Sequence, residues 1–386
     1  MKKLKLIAIV CCVFNLCVAY AVDPTAKESF NPIIVGVPSL TIAPDARGGG
    51  MGDVGAATDP DFYSQHWNPA KYAFAFSKAG VGLSYTPWLR NLVDDIDLVY
   101  AAGYYKLGYE DRQAVAASIR YFSLGEIVLT DLDGTPIGMT NPYEMAVDLS
   151  YSLQLSEKFS GAVAFRYIRS DLGSGAAKED GTVPGNAFAA DIAGYFNSYV
   201  VAGSSECLLG LGFNISNIGT KISYDQGANS NFIPTNLRLG GSFLFPMDDY
   251  NTLSFNLDAN KYLIPSRPNT AGMTDTEKQE AALAYNDIGP IEGIFKSFRE
   301  MNFQDFMWSF GAEYAYNRQF FVRGGYFYEN PNRGNRQYFS LGTGFKLSSF
   351  QIDAAYLIST VPNNPLDQTL RFSISFDMDG LRNIMR

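Results

Sequence analysis

A single histidine, His66, limits the acid–base chemistry open to this chain. Ser64 stands two residues before it, and Asp59, Asp61 or a more distant carboxylate could complete a serine, histidine and acid arrangement. That spacing does not by itself aim a nucleophile at its base, so no residue is assigned as catalytic. The competing reading of His66 is a buried ring hydrogen-bonded to the surrounding fold. Gly50-Met51-Gly52-Asp53-Val54-Gly55 spells the dinucleotide fingerprint, which has meaning only between a strand and a helix. Pro44-Asp45 before it and Thr58-Asp59-Pro60-Asp61 after it supply neither. Tight backbone packing is the expected use of these glycines. A multi-histidine or cysteine-rich metal site lacks its ligands, and Asp131-Leu132-Asp133-Gly134 lacks the rest of a calcium loop. No metal and no cofactor is expected.

The remaining charges of interest are Glu144, Asp148, Arg166, Arg238, Asp258, Arg323, Asp353 and Arg371. Each sits at a polar position in a segment that alternates apolar and polar residues. Tyr143, Met145, Val147, Leu149, Tyr151 and Leu153 alternate with Glu144, Ala146, Asp148, Ser150, Ser152 and Gln154, and 252–259 and 369–378 read the same way. Period-two alternation over roughly ten residues is what a tilted barrel strand needs to cross a bilayer. About fourteen such segments are expected, an even number as in bacterial outer-membrane barrels. They fall near 80–89, 97–106, 113–122, 142–153, 158–168, 186–196, 206–215, 235–245, 250–260, 305–316, 318–328, 337–347, 349–359 and 368–378. The eight charges then line the lumen, where opposite signs imply a wall that grips a plug through ion pairs rather than a path selective for one ion.

Composition agrees with this class. Charged residues are only 18% and aromatics 14%, with a mean hydropathy of -0.06. No apolar run of membrane-helix length follows the N-terminus, and a β-barrel needs none. A formal net charge of -9 argues against nucleic acid as a partner. Turns near Ser156, Met247, Asn317 and Ser348 are tight, whereas 123–141, 169–185, 216–234 and 261–304 are long, the alternation of periplasmic turns and outer loops. The last of these includes helical stretches over Thr274–Tyr285, with Asp275 as N-cap, and around Ile291–Met301. It reads as a lid or as a docking site for a partner. Aromatic doublets such as Tyr104-Tyr105, Phe320-Phe321 and Tyr326-Phe327-Tyr328 read as girdles at the headgroup level.

Lys2, Lys3 and Lys5, an apolar core over 6–18 and Ala19-Tyr20-Ala21 read as a signal peptide spanning 1–21. Its removal leaves Cys207 as the one cysteine, which excludes an internal disulfide, and no lipid anchor is expected. Residues 22–79 do not alternate, and irregular backbone at membrane depth is tolerated only inside protein or along water. They are expected to form a luminal hatch, with the barrel over 80–386.

Within that segment, Arg47-Gly48-Gly49-Gly50-Met51-Gly52-Asp53-Val54-Gly55-Ala56-Ala57, followed by Asp59 and Trp67-Asn68-Pro69-Ala70, resembles the signature of the FadL-type outer-membrane family. Ser84-Tyr85-Thr86-Pro87-Trp88-Leu89-Arg90 and Arg120-Tyr121-Phe122-Ser123-Leu124-Gly125 are more similar to the barrel proteins of the type IX secretion system. The resemblance implies an all-β, 14-stranded antiparallel transmembrane β-barrel of FadL type with an N-terminal luminal hatch, residing in the outer membrane among its lipids. It further implies a non-enzymatic secretion component whose outer loops bind cargo bearing a C-terminal signal domain. That cargo would come from the translocon SprA and pass to the attachment complex containing PorU. The alternatives are a FadL-like channel for hydrophobic small molecules, which calls for an apolar pocket and a kinked strand, and a lipopolysaccharide deacylase relying on His66.

Overall fold

The computed structural model describes residues 31–378 apart from 91–92, 132, 174–181, 228, 269, 271, 363 and 365. The signal-peptide reading and the start of the hatch lie outside the described residues. Alternating sequence gives strands because successive side chains leave a strand on opposite faces. The strands are β1 (Ala79–Pro87), β2 (Ile96–Leu107), β3 (Gln113–Leu124), β4 (Ile127–Thr130), β5 (Pro136–Thr140), β6 (Tyr143–Gln154), β7 (Phe159–Asp171), β8 (Gly185–Ala202), β9 (Ser205–Gly219), β10 (Asn236–Pro246), β11 (Asn251–Tyr262), β12 (Met307–Tyr316), β13 (Phe320–Tyr328), β14 (Gln337–Leu347), β15 (Phe350–Ser359) and β16 (Leu370–Asp377). Fourteen of them close into one antiparallel barrel, and β4 and β5 form a separate hairpin. The barrel is sealed where β1 pairs with β16, from Gly80 opposite Asp377 to Tyr85 opposite Phe372.

Closure leaves the wall without edges, which lets strands cross lipid with their backbone satisfied. Among the described residues no helix is long and apolar enough to cross a membrane. The two faces are sorted by parity: Leu149 is 61% exposed beside Asp148 at 6%. That parity corrects the girdle reading. Tyr105 and Phe320 point outward, whereas Tyr104 is buried and stacks on Tyr72 at 4.8 Å, and Phe327 is buried against Tyr338 at 5.0 Å. Adjacent aromatics in a strand cannot share a face.

The barrel's ladders run without interruption except between β8 and β9, where the register shifts between Ala190 and Ile192. Asn217 takes a left-handed φ of 59° there, and its N–H donates to Asp191 at 2.8 Å. This irregularity is a bulge just beyond 206–215 that is tied on both sides, since the Asn217 side-chain amide also donates to the Pro234 carbonyl at 2.9 Å. The β8–β9 hairpin also runs longer than its alternation indicates, because Tyr199-Val200-Val201 breaks the period of two.

Connections alternate in length around the barrel. Short turns join β6 to β7, β8 to β9, β10 to β11, β12 to β13 and β14 to β15, and longer segments join the opposite ends. The β3–β6 connection, expected as a long loop over 123–141, contains the β4–β5 hairpin. The connection after β11 holds α1 (Asp275–Asp287) and α2 (Pro290–Arg299). The N-cap of α1 is Thr274 rather than Asp275: its hydroxyl accepts from the Glu277 N–H while the Glu277 carboxylate accepts from the Thr274 N–H at 2.7 Å. A capping box satisfies two orphan donors at once, which a cap one residue later would not. Strand β12, expected from 305, begins at Met307 because Phe303–Asp305 forms a capped helical turn first.

Candidate functional site

Residues 31–78 run from the outer loops into the barrel. Asn31 N–H donates to the Asn332 carbonyl at 2.9 Å and Gly36 N–H to the Phe232 carbonyl at 2.8 Å, both at the loop end. The chain then makes helical turns at Ala46–Gly49, Ser64–Trp67 and Pro69–Phe74. Trp67 organises this plug. Its indole N–H donates to Asp45 at 2.6 Å, and Asp45 also accepts from the Gly48 N–H at 2.8 Å, capping the first turn. The Trp67 ring fills the space where Cβ atoms at Gly48 and Gly55 would sit, 2.5 Å and 2.3 Å from its carbons. Gly52 has φ of 72°, a conformation that favours glycine, and donates its N–H to Ser340 Oγ at 2.7 Å. Asn68 ties the halves together, donating to the Ala56 and Gly194 carbonyls at 2.8 and 3.0 Å, and caps the turn that Pro69 opens. Gly50 packs against Gly342 of the wall. The glycine fingerprint therefore serves close packing, with neither of the flanks a nucleotide would need.

The wall charges divide into two groups. Glu144 accepts from the Ser39 N–H at 3.0 Å, Asp258 accepts from Gly55 and Ala56 N–H at 2.8 and 2.9 Å, Arg238 donates to the Asp53 carbonyl at 3.2 Å, and Arg371 pairs with the Asp53 carboxylate at 3.0 Å. These four hold the plug directly. Asp148, Arg166, Arg323 and Asp353 pair within the wall: Arg166 lies 2.5 Å from Asp148 and 3.0 Å from Asp191, and Arg323 lies 2.6 Å from both Glu313 and Asp353. Such pairs are costly to break, because a partner left alone stays charged in a dry site.

Three partners escaped the sequence reading. Glu313 of β12 pairs at 3.2 Å with Arg47 of the plug, which also reaches Asp61 at 3.0 Å. Arg120 donates to the Ser39 and Ile42 carbonyls at 2.6 and 3.0 Å. Asp191 completes the Arg166 cluster. All three occupy inward positions, so the alternation that identified the other wall charges would also have identified them.

His66 Nδ1 lies 3.1 Å from an Arg120 guanidinium nitrogen, and the ring meets Trp67 edge-on at 4.7 Å. Ser64 donates instead to Asp61 at 3.0 Å. Serine and histidine thus have different partners. Among the described residues no group of three or more His, Cys, Asp or Glu side chains could hold a metal ion. A cavity above the plug is lined by Asp53, Arg120, Arg166 and Arg238 together with Tyr100 and Met307 among others, a mix of charged and apolar groups rather than the predominantly apolar lining a hydrocarbon would need.

Two features stand out on the loop side. The β4–β5 hairpin pairs only with itself among the described residues and leaves Ile127, Val128, Ile137 and Met139 exposed. The loop helices are anchored by Phe232, Ile264 and Ile288, packed with Ile33, Val35, Tyr262 and Tyr285. Loop carboxylates are held in their ionised form by local donors. Hydrogen bonds from Asn229 and Ser223 push Asp225 down to about 2, and those from Thr274 lower Glu277.

A family model described as type IX secretion system protein PorV matches residues 25–269. Among solved structures, the toluene transporter TodX of Pseudomonas putida has a TM-score of 0.50 at 12% identity, with 90% of this chain and 99% of that chain covered. A FadL homologue of Pseudomonas aeruginosa gives 0.45 at 13%, covering 90% and 99%, and the toluene transporter TbuX of Ralstonia pickettii gives 0.42 at 14%, covering 87% and 96%. At such identities the TodX likeness shows the fold alone. None of the curated proteins matches the chain.

Proposed function

Because the chain belongs to the family of the type IX secretion system protein PorV and is an outer-membrane β-barrel component of that system, we propose that it captures exported cargo on its outer loops and shuttles it from the translocon to the surface attachment complex. The observation that carries this reading is the β4–β5 hairpin, a short sheet with unpaired edges and exposed apolar side chains on a rigid, plugged barrel. Unpaired strand edges accept an added strand through main-chain hydrogen bonds, and loops on a rigid scaffold are where binding groups reside. A folded C-terminal signal domain of the cargo supplies such a strand. SprA as donor and the PorU-containing complex as recipient are the partners this handover requires.

The test exploits the fact that the hairpin's base is already closed, since Leu124 N–H donates to the Pro142 carbonyl at 3.0 Å. Replacing 127–140 by a short glycine linker leaves a heat-modifiable, folded barrel and lowers the recovery of cargo in pull-downs from solubilised outer membrane. Undiminished recovery would remove the hairpin from the mechanism. Failure of the intact chain to recover any exported protein would remove the function itself. The channel alternative is weakened by the charged groups that line the lumen and by the continuous pairing of β9 with β10. The deacylase alternative is weakened by the separate partners of Ser64 and His66.

A further inference from the structure

Helix α2 has two unlike sides. One is seated on the barrel's loops: Gly293 lies against Phe232 and Pro265, where a Cβ would meet them at 2.9 and 3.2 Å, and Ser297 Oγ accepts from Lys261 at 3.0 Å. The other presents Ile291, Phe295 and Phe298, spaced four and three apart and therefore on one stripe. All three are exposed, Phe295 at 63%. The stripe does not end with the helix. Met301 and Phe303 continue it, Phe303 at 71% exposure, and the Phe303 ring lies 5.5 Å from that of Trp308. Phe306 adds a third ring 6.1 Å from the same indole. Trp308 stands at the loop end of β12 on its lipid-facing parity, opposite Tyr328 of β13 and Ala259 of β11.

An apolar run thus leads from α2 directly into the aromatic girdle of the barrel. We propose that α2 lies on the outer leaflet, with its Ile291, Phe295 and Phe298 face pressed into the boundary between headgroups and acyl chains. An amphipathic helix on a membrane surface has this design, with an apolar face buried shallowly and a charged flank left in water. The flank is Glu292, Lys296, Arg299 and Glu300, and the two cations can extend their stems along the apolar face toward lipid phosphates. Continuity with the girdle favours lipid over a soluble partner. A protein docked on the helix alone gives no account of Met301 and Phe303, which bridge the helix to the lipid belt.

The experiment places a nitroxide label, one at a time, through Phe295→Cys, Phe298→Cys or Glu292→Cys, with Cys207→Ser. The full mature chain is reconstituted in vesicles of phosphatidylethanolamine and phosphatidylglycerol. Collision rates with oxygen, which concentrates in the bilayer, and with a nickel chelate, which stays in water, are compared. The ratio of oxygen to nickel collisions at 295 and 298 should exceed that at 292 several-fold. Equal nickel access at all three positions would overturn the proposal by showing a water-facing helix. Loss of access to both reagents at 295 and 298 would overturn it in favour of a protein-covered face, including one covered by a second copy of the chain. Should labelling impair refolding, Phe295→Trp supplies the same readout: brominated lipids should quench more emission than in the parent, and no additional quenching would refute lipid contact.

Discussion

Arg323 is the residue on which the wall's charge network turns, since it bridges Glu313 and Asp353, 2.6 Å from each. Arg323→Met should lower barrel stability by about 3–5 kcal/mol, the usual cost of stranding a buried charge, read from urea unfolding in lipid vesicles. Adding Glu313→Gln and Asp353→Asn should restore much of it, and no recovery would mean that packing rather than charge sets the loss. Trp67 offers a second test. Gly55→Val forces side-chain atoms into space the indole occupies, so Trp emission should shift to the red as the ring leaves its slot. An unchanged spectrum would show that the plug adapts. Half of this detail was open to sequence reading. Parity alone assigns Arg323, Asp353 and Asp258 to the lumen, but which of them meets the plug depends on contacts between residues as far apart as Asp53 and Arg371, which no local pattern encodes.

At the scale of elements, the strands that alternate cleanly were legible to within a few residues, and those that do not were misread. Ile127-Val128-Leu129 has no period of two, so a hairpin stood where a loop was expected. Helix α1 was legible through its helix-forming residues, while its cap was displaced by one because Thr274 and Glu277 act reciprocally. Thr274→Ala should cost the helix about 1 kcal/mol, the typical value of a lost N-cap, seen as faster hydrogen exchange over 275–287. The same box gives a pH dependence. Glu277 is lowered by its bonds from Thr274, so its contribution is present above the ordinary glutamate value and is lost as pH falls through the lowered one. Protection over α1, taken relative to the intrinsic exchange rate at each pH, should therefore fall in acid, and less so in Glu277→Gln.

For the whole molecule, the plug sits among side chains from nearly every part of the wall, so the intact barrel should be electrically silent in planar bilayers. Asp53→Ala combined with Asp258→Ala removes the carboxylates that hold Arg371 and the Gly55 and Ala56 N–H groups. This double change should produce conductance steps, and continued silence would mean that glycine packing alone retains the plug. One contact bears on how such an object is made. At the seam, the Tyr63 hydroxyl lies 3.0 Å from the Leu83 carbonyl on β1 and 2.9 Å from the Ile374 carbonyl on β16, and Ala46 N–H donates to Ser373 of β16 at 2.8 Å. The seam that joins the first barrel strand to the last is thus fastened from within by the very segment it encloses. The plug therefore works as a clasp as well as a stopper, since one tyrosine hydroxyl ties the two ends of the sheet to each other.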